Sequence, residues 1–415
     1  MTSAASQYDL AIIGGGMVGA SLALALQDTP CKILLVESFA PNNDSQPSFD
    51  DRTTALGNGS RQIFESLGIW SGIAPHAGAI HEIHISDAGR FGFARLRSAE
   101  QGVEAFGYVV SNRVIGRVLW DRLAAQRNLT CRMPARAQLS SVDAQVAHLT
   151  IDDEPCRARL VVAADGAQSA VRAALGIEAG VEDYDQVAVI ANFSTNRAHQ
   201  HIAYERFTPS GAIAALPLAD GSMGAVWTLA PHEAQRVQAL SDAEFMAQWQ
   251  RALGWRAGAV QRVGKRASYP LKLTRAATTT APRAVLIGNA AQALHPVAGQ
   301  GFNLGLRDAA TLAELIAAAA AESTDALGTA SSVDIGAPQL LARFAARRDN
   351  DRTGITRFTD GLIKLFGDTR PGIGAARDLG LLLFDLAPPA KRALSRISWG
   401  LGREGPRLSR GLPLA

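Results

Sequence analysis

The chain has 415 residues, 47% of them apolar and 19% charged, and 41 cations against 38 anions leave a formal charge of +3. That balance excludes a disordered chain and gives no electrostatic case for nucleic acid, while the length suits two or three domains with sizeable cores. Three scattered cysteines, Cys31, Cys131 and Cys156, make neither a CxxC pair nor a disulfide framework, which suits a reducing cytoplasm.

Tyr8–Gly14 (YDLAIIG) reads as a buried strand, Gly19–Gln27 as a helix and Lys32–Glu37 as a second strand. The apolar run Leu10–Leu26 is broken by Gly14, Gly15, Gly16 and Gly19 and follows no basic segment, so it reads as neither a secretory leader nor a membrane span. Strand, helix and strand open a doubly wound parallel sheet. At their first turn stands Gly14-x-Gly16-x-x-Gly19, with Met17 inside it. These glycines allow a tight turn, close approach of backbone to a pyrophosphate and close helix–strand packing, and the helix N-terminus offers its free N–H groups to the phosphates. Glu37 ends the second strand, where a carboxylate accepts hydrogen bonds from both ribose hydroxyls; an acid there favours FAD or NAD over NADP.

Pro41–Asp51 follows as a polar loop, Arg52–Gly68 as a helix, His81–Leu96 as paired strands and Asn112–Gln126 as a further helix. Leu160–Ala164 is a buried strand ending in Asp165-Gly166, at the sheet edge where ligands of open α/β sheets sit. Residues 183–275 are strand-rich. Ala284–Gly288 returns to the buried-strand style and leads through Asn289 into a loop containing His295, Pro296, Gly299 and Gly301. A long helix then covers Asn303–Glu322, and residues 323–338 form a loop. Asn289 suits a polyol; the N–H groups around Gly299 and Gly301 suit negative charge on a reduced flavin. The pairs His81/His84 and His199/His201, spaced by two or three on strands or loops with no nearby cysteine or carboxylate cluster, are poor ligand sets, so no metal is expected.

These three motifs, in this order, resemble the class A flavoprotein aromatic monooxygenases, with the para-hydroxybenzoate hydroxylase-like fold. Within them, DRTTAL (51–56), AVIANF (188–193), AYERFT (203–208) and GNAAQALHPVAGQGFNLGLRD (288–308) are similar to the ubiquinone-biosynthesis hydroxylases, above all the polyprenyl-methoxyphenol hydroxylase subgroup. The wider family has Gly-Asp-Ala-Ala-His where this chain has Gly-Asn-Ala-Ala-Gln, a change that keeps an acceptor for the ribityl chain and marks the subgroup.

The resemblance implies an α/β fold: a discontinuous FAD-binding domain (1–75, 106–182 and 276–350), an inserted β-rich substrate domain (76–105 and 183–275) and a C-terminal helical region (351–415). It implies FAD as cofactor, NADPH or NADH as co-substrate, O2, and a polyprenylated phenol hydroxylated for ubiquinone synthesis. Arg52, Arg113, Gly288, Phe302 and Asn303 join the expected FAD contacts. Tyr204, Arg206, Phe207, Leu216, Pro217 and Trp227 lie on strands expected to face the flavin ring, with alternation bringing half of them to substrate. No dedicated base is visible; His295, in the flavin loop with Pro296 and Gly299, is the nearest candidate, or only packs.

So apolar a substrate suits entry from a membrane surface. Leu379–Leu386 (LGLLLFDL) is apolar, and Lys391–Arg410 carries six cations against Glu404 alone, which suits either anionic lipid or a packing helix with a solvated tail. The expected location is cytoplasmic and peripheral to the inner membrane. Other ubiquinone-biosynthesis proteins and self-association are the expected partners. An FAD-dependent reductase or oxidase of an isoprenoid lipid, and a flavin-bearing scaffold subunit, are the competing readings; incorporation of oxygen from O2 separates them.

Overall fold

In the computed structural model, strand Ser6–Ile13 lies inside a parallel sheet, registered with Ile33–Val36 on one side and Glu154–Ala163 on the other (Leu10 faces Ile33 and Leu160). Residues 6–40, 52–208, 211–294, 299–322, 334–367, 370, 373–387, 389, 391 and 405–414 are described. Leu129–Arg132 and Ala284–Leu286 extend the sheet, also in parallel. The Ile33–Val36 strand is buried at all four positions, as expected where both faces are covered. Helices Met17–Ala25, Asn112–Leu123 and Gln300–Glu322 cover one face over a core that includes Leu22, Leu119 and Leu312. On the other face Ala11, Leu34, Val161 and Leu286 pack against the hairpin Ala137–Val142/Ala147–Ile151.

A second sheet of nine strands is mostly antiparallel: Ala179–Thr195, Met223–Leu229, Gly211–Pro217 and Ile202–Thr208 succeed one another, and Ile202–Thr208 then pairs in parallel with Glu82–Asp87. One face of this sheet is closed by helices Pro231–Gln238 and Asp242–Leu253, with Trp249 and Phe245 inserted among Ile213, Ala225 and Trp227. Those two helices interrupt the strand-rich stretch. The second was legible in Ser241-x-x-Glu244, a capping box in which each side chain satisfies the other residue's backbone N–H.

Arg52–Gly68 is not one helix. Thr53–Gly57 is a strand paired with Gly107–Ser111, and the helix runs only over Asn58–Ser66. The β-branched pair Thr53-Thr54 favours extended backbone, and a partner strand is present to accept it. The long helix begins at Gln300, three residues before the expected start. No helix among the described residues is long and apolar enough to cross a membrane.

Candidate active site

Glycines build the first corner. Gly14 has φ +104°, and a Cβ there would stand 2.4 Å from the Ala164 carbonyl oxygen. Gly19 is closed off in another way: a Cβ would lie 2.0 Å from Gly14 O, so its role is helix–strand packing and it does not line the cavity. Gly14, Gly16 and Met17 do line it. Glu37 closes the corner, buried, with Oε2 accepting from Gly15 N–H (2.7 Å) and Oε1 from Phe39 N–H (3.0 Å). Two fixed donors orient the carboxylate and leave a lone pair on each oxygen for two neighbouring hydroxyls.

The second motif meets the third through Arg172, whose guanidinium donates to Ala167 O (2.8 Å) and Ala290 O (2.9 Å). Asp165 accepts from Val171 N–H through Oδ2 (3.2 Å), while its buried Oδ1 has no hydrogen-bond partner among the described residues. An orphaned buried carboxylate oxygen at a sheet's C-terminal edge suits a ligand hydroxyl. Gly166 at φ +88° has open space where a Cβ would be, and so does Gly301.

The third motif is held from behind. Asp308, fully buried, accepts from Gly288 N–H (3.1 Å) and Arg348 Nε (2.8 Å), and its Oδ1 pairs with Arg352 at 3.2 Å. Gln292, which stands where the wider family has His, reaches Asp308 at 3.5 Å. Asp351 bridges Arg307 (2.7 Å) and Arg348 (2.6 Å), two guanidinium groups that hold its carboxyl below the usual carboxylate range against the cost of burial. Gly288 itself, at φ +58°, is not a lining residue; Asn289 is.

All three corners open into one cavity of about 1400 Å³. Single-ligand pockets run to about 1,000 Å³, so the space takes a dinucleotide-sized cofactor and a second molecule. Arg52, with its guanidinium 4.8 Å from the Tyr269 ring centre, borders the cavity, as do Gly299, Gly301 and Phe302. The corners therefore fit FAD: a turn for pyrophosphate, a carboxylate for ribose and an open helix start at the far end.

Several expected contacts lie elsewhere. Asn303 is consumed by protein: Oδ1 accepts from Gly57 N–H and Ser60 Oγ, and Nδ2 donates to Ala55 O and Gly299 O. Arg113 is exposed on its helix and does not line the cavity; its neighbour Asn112 does. Trp227 and Pro217 also fall outside the lining, and Arg206 points toward Gly254 and Arg256 on the opposite face. Pairing fixes the parity: Trp227 lies opposite Ile213, under the helices, while Val226 lies opposite Ala214, in the cavity. Tyr204, Phe207 and Leu216 do border the cavity, but the Tyr204 hydroxyl donates to Arg256 O (3.3 Å). His295 and Pro296 lie outside the described residues. Sequence reading did not anticipate Glu205, Ile83, Ile85 or the helix residues Leu381 and Phe384 in the walls. Alternation from Ala203 would have found Glu205 once the parity of one strand was known. Among the described residues no three His, Cys, Asp or Glu side chains gather as metal ligands.

Residues 7–332 match the FAD binding domain family. Ubiquinone hydroxylase UbiL of Rhodospirillum rubrum is 35% identical over 417 residues, covering 99% of this chain and 95% of that one. The 3-demethoxyubiquinol 3-hydroxylase of Escherichia coli is 30% identical over 399 residues, covering 95% and 98%. Among solved structures, p-nitrophenol 4-monooxygenase PnpA from Pseudomonas putida superposes with a TM-score of 0.77 over 95% of this chain and 99% of that one; at 19% identity, the likeness is one of fold.

Proposed function

The chain belongs to the FAD-binding class A flavin monooxygenases of ubiquinone biosynthesis, and from that premise we propose that it hydroxylates the ring of a polyprenylated methoxyphenol with NADPH or NADH and O2. The observation that carries this reading is the continuity of one cavity from the Gly14–Met17 turn into an apolar chamber walled by Ile83, Ile85, Leu216 and Phe384. Bound in it, FAD supplies hydride acceptance and O2 activation, the steps that side chains cannot perform.

The protein's part is placement and dryness. The Gly14–Met17 turn and the helix start behind it receive the pyrophosphate; Glu37 receives the ribose hydroxyls. Asp165 and Asn289 offer acceptors to the ribityl hydroxyls. At Gly299–Phe302, backbone N–H groups at the start of a 23-residue helix face developing negative charge, helped by the helix dipole. The apolar walls keep water from the reacting ring.

Hydroxylation is tested with purified holoenzyme, reduced nicotinamide cofactor, 18O2 and the two or three plausible prenylated ring intermediates side by side. One product carrying a single 18O is the expected result. Substrate-stimulated cofactor oxidation with no isotope in the product would return the reductase reading.

Entry from a lipid surface fits the helix Ile373–Asp385, which lines the cavity with Leu381 and Phe384. At the same end, Leu379, Leu383 and Leu386 stand 58%, 58% and 79% exposed. The tail is less free than its composition suggests. Lys391 pairs with Asp385 (2.8 Å), Arg407 N–H donates to Glu314, and Leu408 is buried; Arg392, Arg396 and Arg403 lie outside the described residues. The exposed leucines are therefore the better probe. Replacing all three by Ser should weaken cosedimentation with anionic vesicles at least about tenfold, given about 1.5–3 kcal/mol for each fully buried leucine. Flavin content should be unchanged, and equal sedimentation would make these leucines ordinary surface.

A further inference from the structure

Glu205 is a carboxyl in an apolar place. On strand Ile202–Thr208 it is registered with Ile85 on one neighbour and Ala214 on the other, and it faces the cavity with Ala203 and Phe207. One flanking cluster contains Ile80, Phe106 and Leu216; the other contains Phe207, Ala212 and Phe366. Among the described residues nothing forms a hydrogen bond or ion pair with it. Charged groups on the neighbouring elements are largely engaged with one another; on helix Pro338–Gly367, which also packs against this strand, Arg352 pairs with Asp308 and Lys364 with Asp360. Arg377, on the helix across the cavity, is bound to Asp87 (3.0 Å) and to the carbonyls of Leu365 and Phe366. Along the Glu82–Asp87 strand, Glu82 pairs with Arg97, and His84 contacts Arg256. The strands Gly211–Pro217 and Met223–Leu229 bring no titratable side chain.

Glu205 is partly buried in this apolar wall, and an unpaired carboxyl drawn part of the way out of water costs stability, a cost that gathers where a ligand repays it. An apolar pocket fixes a ligand's orientation through a few polar groups set in its wall. We propose that Glu205 binds the ring hydroxyl of the substrate and removes its proton, an assignment that rests on the phenol reading above. In that step the phenol O–H bond breaks, its electron pair stays on the ring oxygen, and the proton passes to a Glu205 carboxylate oxygen. The gain in electron density prepares the ring carbons for oxygen insertion. Burial pushes the carboxyl up to about 7, so near neutral pH it both accepts a proton readily and gives it up again.

The test uses holoenzyme and two probes: a 2-methoxyphenol with a short prenyl chain at position 6, and its O-methyl ether, which has no proton to give. Binding is read from the flavin absorbance change. Wild type at pH 8 should prefer the phenol by about tenfold or more, the advantage of a hydrogen bond to a charged acceptor, and should lose that preference below pH 7. In Glu205→Gln the preference should not vary with pH, and kcat should fall by about 10²–10⁴ with KM changed only a few-fold. Glu205→Asp should restore part of both. Turnover and pH-dependent preference unchanged in Glu205→Gln would overturn the assignment alone; no binding of either probe to wild type would overturn the substrate reading and the assignment with it.

Stability separates this role from a structural one. A folded-state value of about 7 against 4.5 in a solvated carboxyl makes wild type lose stability as pH rises through that window. Glu205→Gln should therefore melt above wild type at pH 8, with the gap closing toward pH 4.5. A variant melting below wild type at pH 8 would make Glu205 a packing group and end the proposal.

Discussion

Gly301→Val is expected to give a folded, colourless protein. At Gly301 an added Cβ meets nothing within 4 Å, and the residue borders the cavity in the second position of helix Gln300–Glu322. The chain alone therefore has room for the new side chain, and the helix gains the small difference in propensity by which Val exceeds Gly, about 0.5 kcal/mol or less. What the side chain occupies is the space above the N–H groups offered to the flavin. Forcing a branched group into a filled site costs about 1–3 kcal/mol and sometimes more, so FAD affinity should fall about 100-fold, with an unchanged melting temperature for apoprotein. Flavin-to-protein absorbance ratio and fluorescence titration of apoprotein measure it. A variant that purifies with a full complement of FAD would place the flavin ring elsewhere. Gly14 behaves in the opposite way: with φ +104° and Ala164 O 2.4 Å from a Cβ, substitution there damages the fold before it reaches the cofactor, so colour loss at Gly14 would say little about binding.

This contrast also bears on what could be read without coordinates. The dinucleotide corner was legible because its demands are local. A turn with φ beyond what side chains accept, a helix start and a terminal acid lie within about thirty residues, and each residue type has a physical reason to be there. Glu37 belongs to that class. The substrate walls were not legible in the same way. Whether Trp227 or Val226 faces the cavity depends on strand pairing with residues far along the chain, and a shift of one residue inverts every side chain on the strand. The family resemblance pointed to Trp227, Arg206 and Pro217, but helices Pro231–Gln238 and Asp242–Leu253 needed a large apolar surface beneath them, and Trp227 supplied it. Asn303 shows a further limit. Its position in the third motif pointed to a flavin contact, yet its four bonds go to Ala55, Gly57, Ser60 and Gly299, so it shapes the loop from behind. A motif marks where precision is needed; it does not say which of its residues touch the ligand.

Asp308→Ala should be among the most damaging single changes in the protein for the same reason. The carboxylate is wholly buried and serves Gly288 N–H, Arg348 and Arg352 at once. Removing it leaves one backbone donor and two buried guanidinium groups, with only Asp351 still pairing with Arg348 and with the neighbouring Arg307. Breaking a buried pair by deleting one partner costs about 3–5 kcal/mol, a large part of the 5–15 kcal/mol that typically separates folded from unfolded chains. The loss should appear as a lower midpoint in denaturant and as faster release of FAD, because Gly288 loses the bond that positions Asn289 over the cavity. Asp308→Asn keeps one acceptor and should recover part of the stability. Combining Asp308→Ala with Arg352→Met removes the cation left without an ion pair, and should cost less than Asp308→Ala alone, since the penalty lies in the unpaired cation more than in the lost attraction. If the double variant is the less stable of the two, the network contributes through net attraction, and the flavin loop is held by charge pairing of the folded state itself.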